Sequence, residues 1–235
     1  LRQMIKKHNF TQLNVHYLYK KADGRCRLPK PTTKSPAEFS ACTEKSHPDL
    51  ITVAKYPMNL ARNTARMFAK TKFIILSDAD LYHSQNFERR MRQAAEREIT
   101  KDPMKVLVYR IFEIEDDITR YTRFTWEPRF VSLPNIPFHD ENFPYRVRAN
   151  NVLHWEMCRA GYKFALVDDL YVFHRGIRKD SQGIARDNIM VQRMNQKRYE
   201  KALSLFHDRM SREYPQTEGT CPALLKRTLF FFTVE

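Results

Sequence analysis

The alternation of apolar and polar positions divides the chain into short segments of two kinds. Residues 13–19, "LNVHYLY", and 51–56, "ITVAKY", are β-branched and aromatic in the manner of strands, and 72–77, "KFIILS", carries four successive large apolar residues. Between the last two, Leu60, Ala61, Thr64, Ala65 and Phe68 recur on one helical face of "MNLARNTARMFAK", with Asn59 as a candidate cap. Strand, helix and strand in succession predict a βαβ unit with a parallel, buried sheet.

Further along, 84–102 reads as a helix in which Glu88 is spaced to pair with Arg92 and Arg92 with Glu96. A long alternating strand is predicted at 105–115, and 121–145, with four prolines, reads as irregular. The segment from Asn150 predicts a helix closing near Gly161, then strands at 163–167 and 170–174 joined by a tight acidic turn. A last helix at about 187–212 would turn Ile189, Met190, Met194, Tyr199, Leu203 and Phe206 inward. The Pro-, Lys- and Ser-rich stretch from Lys20 to Asp49 reads as a surface excursion. These elements place the chain in the α/β class, with no internal repeat.

With 235 residues, 42% of them hydrophobic, the chain is expected to build one domain around one core. Forty-one Lys and Arg against 27 Asp and Glu leave a formal charge of +14, which suits anionic partners: nucleic acid, anionic lipid, phosphorylated molecules or acidic glycans. The arginines are scattered over helices without aromatic interleaving, which disfavours nucleic acid. Cys26, Cys42, Cys158 and Cys221 show no C-x-x-C spacing, so neither a zinc ribbon nor a redox motif is indicated. Cys26 with Cys42 could close a short loop in an oxidising compartment, and reduced thiols fit equally. Asn9-Phe10-Thr11 is a glycosylation sequon. No run of 18 apolar residues occurs, and a start at Leu1 is read as that of a fragment whose anchor would lie upstream. Neither a dinucleotide fingerprint nor a P-loop is present, so a nucleotide would have to be held another way.

The chemistry that stands out is "FIILSDAD" at 73–80. Asp78 and Asp80 are two residues apart at the end of an expected strand, so both carboxylates can reach one centre. Carboxylates so placed repel one another unless a hard divalent cation such as Mg²⁺ or Mn²⁺ lies between them; the alternative is that Asp78 caps a turn and Asp80 is solvated. His174, at a strand end before Arg175, is a third candidate ligand or a packed ring. Asp140 and Glu141 in "HDENF" are candidate general bases, or else a cap and partners of Arg146 or Arg148.

Taken together, "YPMNLARNTAR", "FIILSDAD", "WEPRFV", "HDENF", "CRAGYKFALVDD" and "VFHRG" resemble the catalytic domain of glycosyltransferase family 49 over roughly residues 50–180. The resemblance implies a GT-A-type nucleotide-diphospho-sugar transferase fold, a mixed central sheet flanked by helices. It also implies an inverting enzyme of the Golgi lumen with type II membrane attachment, using Mn²⁺ (or Mg²⁺) and a UDP-sugar, glucuronic acid among the candidates, to modify a glycan or glycoprotein acceptor. By position, Asp78, Asp80 and His174 would hold the metal. Asn59, Arg62, Asp78, Arg175, Trp126 and Glu127 would face the donor or acceptor, and Asp140, with Glu141 beside it, would be the base. The chain departs from the family at "PYRVRANN", which lacks the usual glycine, so the acceptor pocket around Asn150 and Asn151 is expected to be reshaped. The opening nucleotide-binding strand is also expected to lie upstream of Leu1. A noncatalytic glycan-binding relative and a basic nucleic-acid binder are the competing readings.

Overall fold

A computed structural model describes residues 8, 9, 11–16, 18, 49–78, 81–111, 129–145, 147, 149–174 and 181–222. The chain divides into two compact units, 1–49 and 50–235. In the first, the described residues form a turn at the sequon, with Asn9 at φ 50°, and no strand or helix; the rest of the strand expected at 13–19 lies outside them.

The second unit is a five-stranded mixed sheet with helices against it. In chain order its elements are α1 (Leu50–Ala54), α2 (Met58–Met67), β1 (Ile74–Ile75), β2 (Leu81–His83), α3 (Phe87–Glu98), β3 (Lys105–Ile111), β4 (Arg129–Ser132), α4 (Ala149–Arg159), β5 (Lys163–His174) and α5 (Ser181–Glu213). A 3-10 turn follows at Pro215–Thr217. The strand order is β1-β4-β3-β5-β2, with β3 and β5 parallel and every other pair antiparallel.

β3 shows why the sheet is central. Val106 and Val108 face one side, where Phe130, Phe164, Trp155, Met157, Tyr199 and Phe206 pack from β4, β5, α4 and α5. Leu107 and Tyr109 face the other, against Phe87, Met91, Ala95 and Ile99 in and just beyond α3. A strand apolar on both faces must be covered on both, as in buried parallel sheets.

Several expectations are corrected. "ITVAKY" is not a strand: Leu50–Ala54 is a helix, so the strand, helix and strand expected over 51–77 do not form a βαβ unit. β-branched composition makes a strand only where a neighbour completes the ladder; here Asn195 of α5 instead donates to the Ala54 carbonyl at 3.0 Å. The apolar segment at 72–77 contributes only two strand residues, on the sheet edge and antiparallel to β4. The two strands expected around the acidic turn are one strand, β5. Its register to β3 slips between Val108–Leu166 and Arg110–Tyr171, which accommodates Asp168 and Asp169 as an irregularity. Glu88 does pair with Arg92, at 2.9 Å, whereas Glu96 takes Lys72 at 2.5 Å. In α5, Tyr199, Leu203 and Phe206 are buried as expected, but Ile189, Met190 and Met194 are exposed, and the stripe continues through Val191, Asn195, Ala202 and Met210.

The helix α4 closes as the sequence predicts, with Gly161 in the left-handed region at φ 86°. One turn earlier, Cys158 is joined to Cys221 by a disulfide, Cα atoms 6.1 Å apart; Cys26 and Cys42 lie outside the described residues. The bond spans 63 positions, so it removes much of the freedom of the unfolded chain. Replacing both cysteines by serine is expected to lower unfolding free energy by about 2–4 kcal/mol, read from urea denaturation. An unchanged midpoint would mean that the hydrogen bonds from Trp155 and Arg159 and the packing of Tyr214 hold the segment after α5 without the crosslink.

Candidate functional site

The site is organised by α2, and by the face of it that sequence periodicity assigned to solvent. Asn59, Arg62, Asn63 and Arg66 recur at helical spacing, and Asn59, Asn63 and Arg66 are 4%, 3% and 5% exposed, whereas Phe68 is 54% exposed and Leu60 is also exposed. The expected inward face is therefore the outward one, and Asn59 is no cap: Pro57 holds that position.

The physical reason is the irregular segment 134–141. Its carbonyls have no ladder partners, and burying them unsatisfied would be costly. Arg66 donates to the carbonyls of Pro137 at 2.6 Å and Ile136 at 3.0 Å, with its guanidinium 3.9 Å over the Phe138 ring. Asn63 acts as a backbone mimic, donating to His139 O at 2.8 Å and accepting from His139 N at 2.9 Å. Its amide also donates to Glu141 Oε1 at 2.9 Å, and Asn59 donates to Asp140 O at 2.8 Å.

Arg62, on the same face, reaches the other way. Its guanidinium donates to Asn150 Oδ1 at 2.5 Å and to Asp78 Oδ1 at 3.4 Å. Asp78 Oδ2 accepts from Arg129 at the start of β4. Asp140 is held by Asn142, whose backbone and side-chain amides both donate to its Oδ1, and by Arg209 of α5 at 3.3 Å. Arg209 is fixed in turn by both oxygens of Glu156, at 2.8 and 2.9 Å, and by Glu213 at 3.0 Å.

Burial sets the protonation states. His139 is pushed down to about 3, first by desolvation and then by the Arg62 charge; His154 falls to about 3 by desolvation, then by His139 and Arg129. Both rings are neutral at pH 7. Desolvation lowers Arg66 to about 10, and desolvation pushes Glu156 up, offset by its bonds to Arg209.

Of the residues singled out in the sequence, Asn59, Arg62, Asp78, Asp140 and Glu141 are thus joined to one helix. Asp80, Trp126, Glu127 and Arg175 lie outside the described residues. His174 is placed by its backbone, which pairs with Leu81 across β2 and β5 and so stands beside the end of the acidic segment. No group of three or more His, Cys, Asp or Glu side chains among the described residues could hold a metal ion. Asn63, Arg66, Arg129, Glu156 and Arg209 were not singled out; the signals in the chain were the polar recurrence at 59, 62, 63 and 66 and the place of Arg129 in "WEPRFV". A pocket of about 80 Å³ next to Glu141, lined also by Tyr56, Tyr145 and Arg198, is too small for a nucleotide.

Comparison with known families supplies the class: a glycosyltransferase family model matches residues 1–120 and 116–215. The chain belongs to that family, glycosyltransferase family 49, described as the glycosyl-transferase for dystroglycan. No curated protein matches it. Family membership gives it a glycosyltransferase-type function, and the mixed sheet with flanking helices is consistent with a GT-A-like fold. Among the described residues no helix is long and apolar enough to cross a membrane.

Proposed function

We propose that this chain is a metal-dependent, inverting glycosyltransferase that moves a sugar from a UDP-sugar to a hydroxyl of a glycan or glycoprotein acceptor. The observation that carries the reading is the polar face of α2, which ties Asp78 through Arg62 and the 139–141 segment through Asn59 and Asn63 into one constellation. Those are three of the sequence blocks that mark the family, and α2 holds them together.

The donor set for a divalent cation is chemically suitable. Asp78 and Asp80 offer hard oxygen ligands, and the Leu81–His174 register brings an imidazole-bearing strand alongside. Asp78, Asp80 and His174 would hold Mn²⁺ or Mg²⁺, which when bound neutralises charge on the departing diphosphate. Asp78 must first give up an arginine partner. Arg175, Trp126 and Glu127 are assigned to the donor and acceptor sides.

Inversion needs a base opposite the leaving group to take the acceptor hydroxyl proton. We place that role on Glu141 in preference to Asp140. Glu141 is exposed and steadied by Asn63, while Asp140 already accepts from Asn142 twice and from Arg209. Asp140 then fixes the segment that carries its neighbour. The Cys158–Cys221 disulfide supports an oxidising compartment, in keeping with the Golgi lumen and type II attachment proposed for it. Glucuronic acid is the first donor sugar to try.

Asp80→Asn is expected to lower Mn²⁺-dependent sugar transfer by at least about 100-fold, the scale on which removing one preorganised charge-stabilising group acts, with an unchanged unfolding midpoint. Turnover of a panel of UDP-sugars across a manganese titration measures it. Equal turnover by wild type and variant would reject the metal role, and UDP-sugar binding with no turnover by wild type would make the chain a glycan-binding relative.

A further inference from the structure

Asp78 lies between two guanidinium groups. Its Oδ1 accepts from Arg62 Nη2 at 3.4 Å and its Oδ2 from Arg129 Nη2. The arginine side chains are 19% and 12% exposed and that of Asp78 is 39% exposed, so the carboxylate is the solvent-facing member and the two cations lie deeper. Both cations are anchored. Arg62 Nη1 donates to Asn150 Oδ1 at 2.5 Å, and Arg129 stands on β4 in register with Tyr109 of β3. Arg129 Nε is buried and has no acceptor among the described residues.

Among the described residues, two full positive charges therefore share one carboxylate in a partly desolvated place. Among the described residues the neighbouring groups add no second anion: Asn150 is neutral, and His139 and His154, which feel Arg62 and Arg129 respectively, are uncharged rings at pH 7. A guanidinium presents a planar fork of donors matched to carboxylate or phosphate oxygens, and one carboxylate cannot fill two forks.

We propose that Arg62 and Arg129 form a diphosphate-binding pair on which the Asp78 carboxylate lies as an internal stand-in, displaced when the phosphates of a nucleoside diphosphate arrive. A diphosphate brings more charge and more acceptor oxygens than the group it replaces, and the solvent-facing position of Asp78 lets the exchange proceed without unpacking the arginines. The displaced carboxylate becomes available to a divalent cation, so the same exchange couples cation and diphosphate binding. This deepens the proposed sugar transfer, but it is carried by the arginine pair and is tested with neither metal nor sugar.

The test is calorimetric titration of the full chain with inorganic pyrophosphate, in EDTA at physiological salt. Removing the competing carboxylate by Asp78→Asn is expected to tighten binding by about tenfold, the order of one hydrogen bond to a charged group. Asp78→Ala, which leaves no side-chain amide on the arginines, should do at least as much. Adding Arg129→Gln to Asp78→Asn should return affinity to the wild-type level or below. Equal affinity in wild type and both Asp78 variants overturns the proposal. So does an Asp78→Asn, Arg129→Gln chain that binds as tightly as Asp78→Asn, since the gain would then come from the general basic surface. Loss of transfer in Asp80→Asn bears on the enzymatic reading and leaves this outcome untouched.

Discussion

Unfolding free energy is expected to fall on acidification from pH 7.5, by about 3 kcal/mol at about pH 5.5, because two histidines are buried uncharged. His139 and His154 titrate near 3 in the folded chain and near 6.5 when unfolded. Between those values the unfolded state binds two more protons than the folded one, so stability rises with pH and is lost on acidification. Each ring contributes up to about 1.4 kcal/mol per pH unit, and the carboxylates Glu96, Glu98 and Asp102, all pushed below their ordinary range, add to the loss only at lower pH. The depressions have a structural origin: His139 lies near Arg62 and Arg66, and His154 is ringed by Phe130, Phe164, His139 and Arg129. Urea unfolding at a series of pH values from 7.5 to 5, at one fixed ionic strength so that screening does not change, reads the slope. A His139→Gln, His154→Gln chain should show a much flatter profile. A flat profile in the wild type would mean that both histidines take up protons in the fold and that the site carries more positive charge than the geometry implies.

Arg209→Met is expected to cost about 3–5 kcal/mol of stability, as when one member of a buried ion pair is removed. Glu156 is 3% exposed and both of its oxygens accept from Arg209, so the variant leaves a carboxylate desolvated with its partner gone. Glu213 and Asp140 lose a shared cation at the same time. Replacing both Arg209 and Glu156 by methionine should cost much less than the sum of the single changes, since the desolvation penalty disappears with the charge. Chemical denaturation of the four chains closes the cycle, and additivity within about 0.5 kcal/mol would show that the pair is not coupled. Because Arg209 also holds Asp140, hydrogen exchange at residues 139–143 should quicken in Arg209→Met.

The resemblance rested on short blocks, and where four of them meet in space their contacts explain particular residues. "NLARN" needs its asparagines because Asn59 and Asn63 hydrogen-bond the backbone of His139 and Asp140, not because the helix needs a cap. Periodicity failed on α2 for an identifiable reason. An apolar stripe marks the buried face only where the opposing surface is apolar, and here that surface presents the backbone carbonyls of Ile136, Pro137, His139 and Asp140. The same failure recurs on α5, where Asn195 is buried to serve the carbonyls of Ala54 and Tyr145 while Met190 and Met194 remain exposed.

Local chemistry in the chain determined the elements whose neighbours did not matter to their identity. These are α3 with its Glu88–Arg92 pair, α4 with its stop at Gly161, the long apolar β3, and the carboxylates that draw attention at 78–80 and 140–141. Tertiary structure alone decided that 50–54 is a helix, that the parallel pair is β3 with β5, that Cys158 joins Cys221, and that Asp78 is gripped by Arg62 and Arg129. Each of those depends on which partner is present at long range, for a ladder, a thiol or a counter-charge, and the energy of such a contact is a property of the pair that neither residue carries in its own stretch of sequence.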